Sequence, residues 1–324
     1  MHGRGIQPAV RALENGTSPR KGKPEMALGN FSKATVGIGA LAMVAGSLVV
    51  PTAANAANDN AGPQPDHAAA AAAPKDLKDP QLKELANDIV ATNENSDLNM
   101  DAHYGFYQKE DDGRGITLGI VGFTTGTGDF NKVLDNYDKA TGGQNALHDY
   151  IEPLKKLSGD NLDGLDQKGF HQAWKEAVKD PKMQEAQRQV RDELYFNPAV
   201  DQGEQDGVGA LGQFIYYDTL VLNGMGSDPD EKGFKKIHQE TVDSFGGKTP
   251  AQGVDQKEFL ERFLDIHQDS MEHSDSHNDK DTLQRVTDEQ RPFVNESKFD
   301  LQFPLDWTVN EDHYQVNSFD DLGK

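Results

Sequence analysis

The segment from Val208 to Leu222 constrains the fold more than any other part of the chain. It is apolar on nearly every side, and a helix with that pattern must be surrounded by other elements, because none of its faces suits water. Asn223-Gly224 follows it and provides residue types that readily end a helix. Asp218 lies inside this segment. An unpaired carboxylate would be costly there, so the sequence predicts a central buried helix whose acid has a cationic partner.

A second helix is predicted near residue 80. Asp79 and Pro80 suit a helix start, and apolar residues then recur at spacings of three and four, at Leu82, Leu85, Ala86, Ile89 and Val90. The row through positions 82, 86 and 90 continues to Glu94. This carboxyl is therefore expected on the buried side of the helix.

The rest of the chain is also mostly helical in pattern. Residues 116–123 are the exception, because they mix β-branched residues with glycine, which favours a short hairpin or ribbon. Beyond Phe299, aromatic residues at irregular spacing suggest an ordered strap over the body. We expect a mainly α (α+β) fold with a small β element and two lobes separated by a cleft. Further helices are predicted over residues 131–137, 145–157, 170–179, 181–194 and 258–268.

The first 77 residues are predicted to lie outside the folded domain. Residues 1–56 combine a basic start, an apolar run from Ala34 to Val50 and a small-residue ending, Ala54-Asn55-Ala56. This is the order of an export signal, and Met26 is an alternative first residue for it. The run is too short and Gly-rich for a membrane anchor. Residues 57–77 form an Ala/Pro-rich leader expected to be disordered. We expect a secreted, extracellular protein, free of the membrane after cleavage, with residues 78–324 as its domain.

Charge and cysteine content limit the partners. The chain has 32 basic and 54 acidic residues; the export segment contains six of the basic and two of the acidic ones, so the remainder carries 26 against 52, a net charge of −26. Nucleic acid is excluded as a ligand, because its phosphates need Lys and Arg. A cationic polymer is a suitable ligand for such a negatively charged surface. The alternative is that the negative charge serves only solubility. The absence of cysteine excludes disulfides and thiol chemistry.

A spaced series of residues carries the strongest functional signal. Glu94-Asn95 is followed by Tyr104, then by Asp112-Gly113-Arg114-Gly115-Ile116-Thr117, Val121-Gly122 and Asp129. This order and spacing resemble the family 46 chitosanases. The similarity continues through Leu194-Tyr195-Phe196-Asn197-Pro198-Ala199-Val200 and from Ala210 to Asp218, and it extends over about residues 78–317.

The resemblance implies a lysozyme-like, two-lobed helical fold and endo-hydrolysis of β-1,4 bonds in glucosamine polymer with inversion of configuration. By motif position, Glu94 is similar to the family's general acid, Asp112 to its general base and Thr117 to a residue that helps to hold the attacking water. Asp129 is similar to a carboxylate that binds a glucosamine amino group, and Arg114 and Tyr104 are expected at the substrate. Thr117 also suits a plain strand position, and Asp129 also suits a helix cap. No cofactor or metal is expected, and we expect a monomer.

The environments of the two carboxyls suit opposite roles. Glycoside hydrolysis needs one protonated and one ionised carboxyl group. Burial on an apolar helix face would raise the pKa of Glu94, whereas a Gly-flanked turn beside Arg114 would keep Asp112 ionised. With inversion, the two carboxyls are expected roughly 6.5 to 9.5 Å or more apart, which leaves room for water.

The resemblance also implies a network that supports these carboxyls. Asp218 resembles an acid that joins an arginine network in related enzymes, and Arg285 resembles one of its arginines. A second arginine commonly follows a Leu-Asp pair, which here is Leu264-Asp265, but His267 follows it in this chain. If His267 replaces that arginine, the network is expected to respond to pH near 6.5. A purely structural ion pair is the alternative for Asp218 and Arg285.

Two other groups of residues have a simpler explanation. The His and Asp residues between positions 267 and 281 lack the spacing of known metal motifs, and we expect a solvated loop from Asp269 to Asp281. The residues are His267, His273, His277, Asp275, Asp279 and Asp281. Trp174 and Trp307 are expected in the core rather than stacked on sugar rings.

Two alternative functions remain. A muramidase-like hydrolase of peptidoglycan needs the same pair of carboxyls, but the acidic surface would be repelled by an anionic cell wall. A polysaccharide-binding protein without activity is disfavoured by the presence of both Glu94 and Asp112.

Overall fold

The computed structural model describes residues 75–109, 114–226, 232–274 and 277–323. The described chain is mainly α-helical, as predicted. Two π-helical segments, Asp192–Phe196 and Arg285–Gln290, join consecutive helices. The α-helices are α1 Pro80–Asn95, α2 Asp129–Thr141, α3 His148–Leu154, α4 Gln167–Ala177, α5 Pro181–Arg191, α6 Asn197–Asp206, α7 Ala210–Asn223, α8 Phe234–Ser244, α9 Gln256–Glu272, α10 Lys280–Gln284 and α11 Arg291–Asn295.

The central buried helix predicted from residues 208–222 is α7. Every residue from Ala210 to Leu220 is buried, and α7 packs against α6, α8 and α1. Gly224 follows its last residue at φ 68°, a backbone conformation that glycine adopts without strain. The helix therefore brings Asp218 into the centre of the molecule.

Helix α1 confirms the predicted start and burial pattern. Asp79 accepts hydrogen bonds from the backbone N–H groups of Gln81 and Leu82, and Pro80 is the first helical residue. The buried face includes Leu82, Ala86, Val90 and Glu94. The helix persists through the turn that Glu94 requires and ends at Asn95.

A three-stranded antiparallel sheet follows α1. It consists of β1 Tyr107–Lys109, β2 Ile116–Leu118 and β3 Phe123–Thr124 in that order. Thr117 is opposite Gln108 on one side and Thr124 on the other. The predicted ribbon over 116–123 is confirmed, with a third strand that the pattern did not indicate.

The tail beyond Phe299, where we expected an ordered strap, contains a β-hairpin that the pattern did not indicate. Strands β4 Leu305–Val309 and β5 Asp312–Val316 pair in register, with Trp307 opposite Tyr314 and their rings stacked at 5.5 Å. Asn310 and Glu311 connect them at φ 52° and 68°. This two-residue turn needs positive φ at both positions, and without glycine its sequence signal is weak. Trp307 and Trp174 are both buried, as predicted.

Other boundaries differ locally from the prediction. Helix α9 continues to Glu272 where we expected a loop from Asp269, and the pattern did not identify α6 or α8. Residues 75–77, placed at the end of the leader, contact the helical body: Leu77 is buried and its N–H donates to Gln213 Oε1 at 2.8 Å. The predicted export segment lies outside the described residues. Within the described ranges, no helix combines the length and apolar character needed to cross a bilayer.

Candidate active site

Glu94 occupies the last turn of α1 and is almost completely buried, with 6% of its surface exposed. Its Oε1 accepts a hydrogen bond from Arg285 Nη2 at 3.1 Å. Arg285 begins the π-helical segment after α10 and is also buried. The sequence predicted both the buried position of Glu94 and the presence of Arg285 near Asp218; the direct pairing of Arg285 with Glu94 is an additional finding.

Arg285 also pairs with Asp218. Its Nη1 lies 3.3 and 3.4 Å from the two carboxylate oxygens of Asp218, which is wholly buried on α7. Burial raises the pKa of Asp218 and the charge of Arg285 opposes that rise. The pKa of Arg285 is raised despite its burial, because the charges of Asp218 and Glu94 favour the cation. One guanidinium therefore joins α1 and α7 through two carboxyl groups.

Three further polar residues complete this cluster, and sequence reasoning missed them. Asn93 Nδ2 lies 3.2 Å from both Asp218 Oδ1 and Glu289 Oε1. Gln290 Nε2 donates to Asp218 Oδ2 at 2.7 Å. The position of Glu289 four residues after Arg285 was a usable signal, since residues at that spacing share a helix face. We name Glu94, Asn93, Asp218, Arg285, Glu289 and Gln290 the carboxyl–arginine cluster.

His267 does not take the place of an arginine in this cluster. Its Nε2 donates to Asn223 Oδ1 at 2.8 Å, and its Nδ1 lies 3.4 Å from Thr219 Oγ1. Burial, together with the positive charge of Arg285, lowers the pKa of His267 to about 3. The expectation that this histidine makes the network respond to pH near 6.5 is therefore wrong, because the buried ring stays neutral there.

Thr117 lies on β2 with its side chain buried. Its Oγ1 has no hydrogen-bond partner among the described residues, an arrangement that is costly in a protein interior. Cγ2 of Thr117 would lie 3.1 Å from a Cβ placed on Gly122, so the loop between β2 and β3 passes close to this side chain.

Asp129 begins α2, and its two oxygens have different surroundings. Oδ1 accepts from Thr124 N at 2.7 Å, Phe130 N at 2.8 Å and Thr127 Oγ1 at 3.0 Å. The contact to Oδ2 is a long one of 3.5 Å from the hydroxyl of Tyr195. Burial raises the pKa of Asp129, and the backbone N–H of Thr124 opposes that rise. Oδ1 of Asp129 therefore stabilises the start of α2, while Oδ2 has only the long contact with Tyr195 among the hydrogen bonds of the described residues.

Tyr195 is a candidate site residue to which the sequence gave no role. It belongs to the π-helical segment after α5, a kind of distortion that is frequent at functional sites. Burial and the charge of Asp129 raise the pKa of Tyr195 well above its usual value, so the phenol keeps its proton and donates.

Tyr104 and Arg114 have different surroundings. The Tyr104 ring is buried, its hydroxyl donates to Asp101 Oδ1 at 2.6 Å and accepts from Arg188, and its pKa is raised to about 12, chiefly by burial. These contacts give Tyr104 a packing role, and its contact with sugar stays a prediction. Arg114 is half-buried, and its carbonyl accepts from Gly126 N at 2.8 Å. Asp112 lies outside the described residues.

The described histidine and aspartate residues of 267–281 have different surroundings. His267 is in the core, while His273 is exposed at the end of α9 and Asp279 caps α10. Asp275 lies outside the described residues. Among the residues described, no group of three His, Asp or Glu side chains is placed to hold a metal ion.

The mainly helical fold and the buried carboxyl group of Glu94 fit the class of lysozyme-like glycoside hydrolases, which need a carboxyl group that can keep its proton. Residues 88–305 match glycosyl hydrolase family 46, and the chain belongs to that family.

Relatives in sequence and structure agree with this result. A Streptomyces chitosanase is 40% identical over 243 residues, covering 75% of this chain and 84% of the relative. The structure of chitosanase OU01 with substrate superposes with a TM-score of 0.68 at 40% identity, covering 75% of this chain and 99% of that one. A Gynuella sunshinyii family 46 chitosanase in complex with chitotetraose gives a TM-score of 0.65 at 28% identity, covering 74% and 98%.

Proposed function

We propose that this family 46 hydrolase is a secreted, monomeric endo-chitosanase that cleaves β-1,4 bonds between glucosamine units with inversion of anomeric configuration. The observation that carries the proposal is the buried carboxyl of Glu94, fixed by Arg285 at the end of α1. The three relatives described above are chitosanases, two of them in complex with substrate or chitotetraose.

Glu94 is the general acid of this mechanism. It gives its proton to the glycosidic oxygen as the bond to the anomeric carbon breaks. A bare arginine beside this carboxyl would favour its ionised form and make the proton harder to retain. Asp218 offsets that effect, because it shares the positive charge of Arg285 within hydrogen-bond distance.

Asp112 is the general base. It accepts a proton from a water molecule that attacks the anomeric carbon on the face opposite the leaving group, which inverts the configuration. The buried hydroxyl of Thr117, without a partner among the described residues, supports a role in holding that water.

Asp129 binds the substrate. Three hydrogen bonds fix Oδ1, and Oδ2 is turned toward Tyr195 at 3.5 Å. An ammonium group of glucosamine would make a charge-assisted hydrogen bond with Oδ2. The net charge of −26 beyond the predicted signal favours this cationic polymer over the anionic peptidoglycan of a muramidase. Residues 1–56 support export.

A chitosan assay with one isosteric variant tests the function. Wild-type protein should release reducing ends from chitosan, and Glu94→Gln should lose at least about 100-fold in kcat. The amide oxygen of glutamine still accepts from Arg285, so folding should persist. The matched control Glu84→Gln, on the exposed side of the same helix, should resemble wild type. An active Glu94→Gln enzyme contradicts the acid role.

Early products resolved by NMR test the stereochemistry separately. Inversion yields the α-anomer from a β-linked substrate, and a β-anomer would contradict the base role of Asp112. Binding of chitosan without release of reducing ends would instead support the inactive binding protein.

A further inference from the structure

Glu289 is a buried carboxyl group without a role in the proposed mechanism. It lies on the π-helical segment four residues after Arg285, and its side chain has no exposed surface. Oε1 accepts from Asn93 Nδ2 at 3.2 Å, whereas Oε2 has no hydrogen-bond partner among the described residues. A buried ionised carboxylate in such surroundings is unfavourable.

Asn93 connects Glu289 to the general acid. It directly precedes Glu94 on α1, and its amide also reaches Asp218 Oδ1 at 3.2 Å. Asp218 in turn holds Arg285, which holds Glu94. The side chain of Glu289 is thus joined to Glu94 by way of Asn93, Asp218 and Arg285.

Charge balance decides the protonation state of this group. Asp218 on α7 is linked to Glu289 through the Asn93 amide, and Arg285 is the cation that hydrogen-bonds to both Asp218 and Glu94. His267 on α9 contributes no positive charge near neutral pH, since its pKa is about 3. Glu94 carries its proton as the proposed general acid, so an ionised Glu289 would place a second buried carboxylate, besides Asp218, against one guanidinium, and the two would repel each other. Burial, and then the charge of Asp218, raise the pKa of Glu289 well above its ordinary value.

We propose that Glu289 is a positioning residue for the hydrolysis, a neutral carboxylic acid whose Oε1 holds the Asn93 amide and so keeps Asp218 and Arg285 aligned on Glu94. The role rests on the proposed function of Glu94. It requires an acceptor at Oε1 and no negative charge, and this combination separates it from a charged catalytic group.

Two substitutions at this position test the two requirements. Glu289→Gln preserves the acceptor and stays neutral, so its kcat on chitosan oligomers should remain within about threefold of wild type. Glu289→Leu removes the acceptor at similar volume, so kcat per folded molecule should fall about tenfold or more while KM changes less than about twofold. A folded leucine variant with wild-type kcat overturns the proposal, and so does a glutamine variant that loses as much as leucine.

A second position keeps the test decisive if the leucine variant does not fold. Asn93→Ala removes the bridging amide at a half-buried site, and it should also lower kcat about tenfold with little change in KM. Wild-type kcat in Asn93→Ala overturns the proposal. The control is Asp206→Asn, a buried acid on α6 that bonds to Tyr216 and His238 rather than to the cluster; it should lower the melting temperature and leave kcat unchanged.

Carboxyl NMR tests the neutral state without substrate. In protein labelled with ¹³C at glutamate side chains, one resonance should retain the chemical shift of a protonated acid at pH 7 and be absent from Glu289→Gln. A spectrum in which the resonance lost from Glu289→Gln is that of an ionised carboxylate overturns the proposal. Absence of chitosan hydrolysis by the wild type would contradict the proposed function, while this spectrum still decides the protonation of Glu289.

Discussion

Arg285 Nη2 donates to Glu94 Oε1 at 3.1 Å, and both side chains are at most 5% exposed. The same guanidinium contacts Asp218 at 3.3 Å. Because the charge of Asp218 opposes that of Arg285 at Glu94, we expect the protonation of Glu94, the proposed general acid, to depend on a residue of another helix. This relationship predicts that the cluster influences the pH dependence of hydrolysis.

Asp218→Asn should move the alkaline limb of kcat/KM for chitosan oligomers to lower pH. Without the aspartate charge, Arg285 stabilises ionised Glu94 more strongly, so the acid loses its proton sooner as pH rises. The expected direction follows from the loss of a nearby negative charge, which lowers the pKa of a carboxyl group. The pH profiles of the two enzymes check this, and an unchanged alkaline limb would contradict the coupling.

His267→Gln should reduce the loss of stability at acidic pH. The pKa of His267 is about 3 in the folded protein against 6.5 when free, so the unfolded state binds more protons between these values. The stability that the neutral ring provides is complete above pH 6.5 and is lost as pH falls toward 3. Between pH 7 and 5 the wild type should lose about 2 kcal/mol more unfolding free energy than the variant.

Urea unfolding at the two pH values measures that difference. Glutamine can still donate to Asn223 Oδ1, so the fold should be retained. His313→Gln is a suitable control because His313 is exposed on β5. Equal losses in wild type and His267→Gln would show that the ring is not held neutral.

Asp88→Asn should change stability in the opposite pH direction. Asp88 accepts from Met100 N at 3.0 Å and Gly323 N at 3.2 Å, and burial raises its pKa from 3.8 to about 6. The folded state therefore binds more protons than the unfolded state in that window. The contribution of Asp88 to stability is greatest below pH 4 and falls as pH rises through 6.

Melting temperatures at pH 4 and pH 7 test this second titration. The variant should gain stability relative to wild type as pH rises, because asparagine has no charge to bury. Glu84→Gln on the exposed side of α1 should show no such trend. A constant difference between wild type and Asp88→Asn at the two pH values would contradict the titration.

Local pattern was sufficient to predict α1, α7 and the burial of Glu94. The capping residues and the apolar spacing of α1 are adjacent in sequence, so propensity and periodicity describe them well. The pairing of Arg285 with Asp218 could be predicted only from the family resemblance, because the two residues are 67 positions apart.

Apart from the spacing of Arg285 and Glu289, the rest of the cluster depends on contacts that no local pattern contains. Asn93 meets Glu289 across 196 positions, and the π-helical geometry that brings Arg285 and Glu289 inward has no sequence signal of its own. His267 shows a related difficulty. A histidine suggests a group that titrates near pH 6.5, but burial lowers its pKa to about 3 and keeps the ring neutral there. The burial of His267 on α9 depends on its packing against α7, which is far away in sequence.

Asp129→Asn should weaken substrate binding without disturbing the start of α2. The amide keeps an oxygen for the N–H groups of Thr124 and Phe130, but the negative charge offered to an ammonium group is lost. Loss of a hydrogen bond between charged groups corresponds to about a tenfold or larger increase in KM for glucosamine oligomers. Asp243→Asn is the matched control, since Asp243 is exposed on α8 and bonds to Gln239.

Kinetics at low and high salt separate a direct contact at Asp129 from long-range attraction by the acidic surface. The effect of a direct contact on KM should persist at high salt, whereas long-range attraction should fade. An unchanged KM in Asp129→Asn would leave Asp129 with only its role at the start of α2.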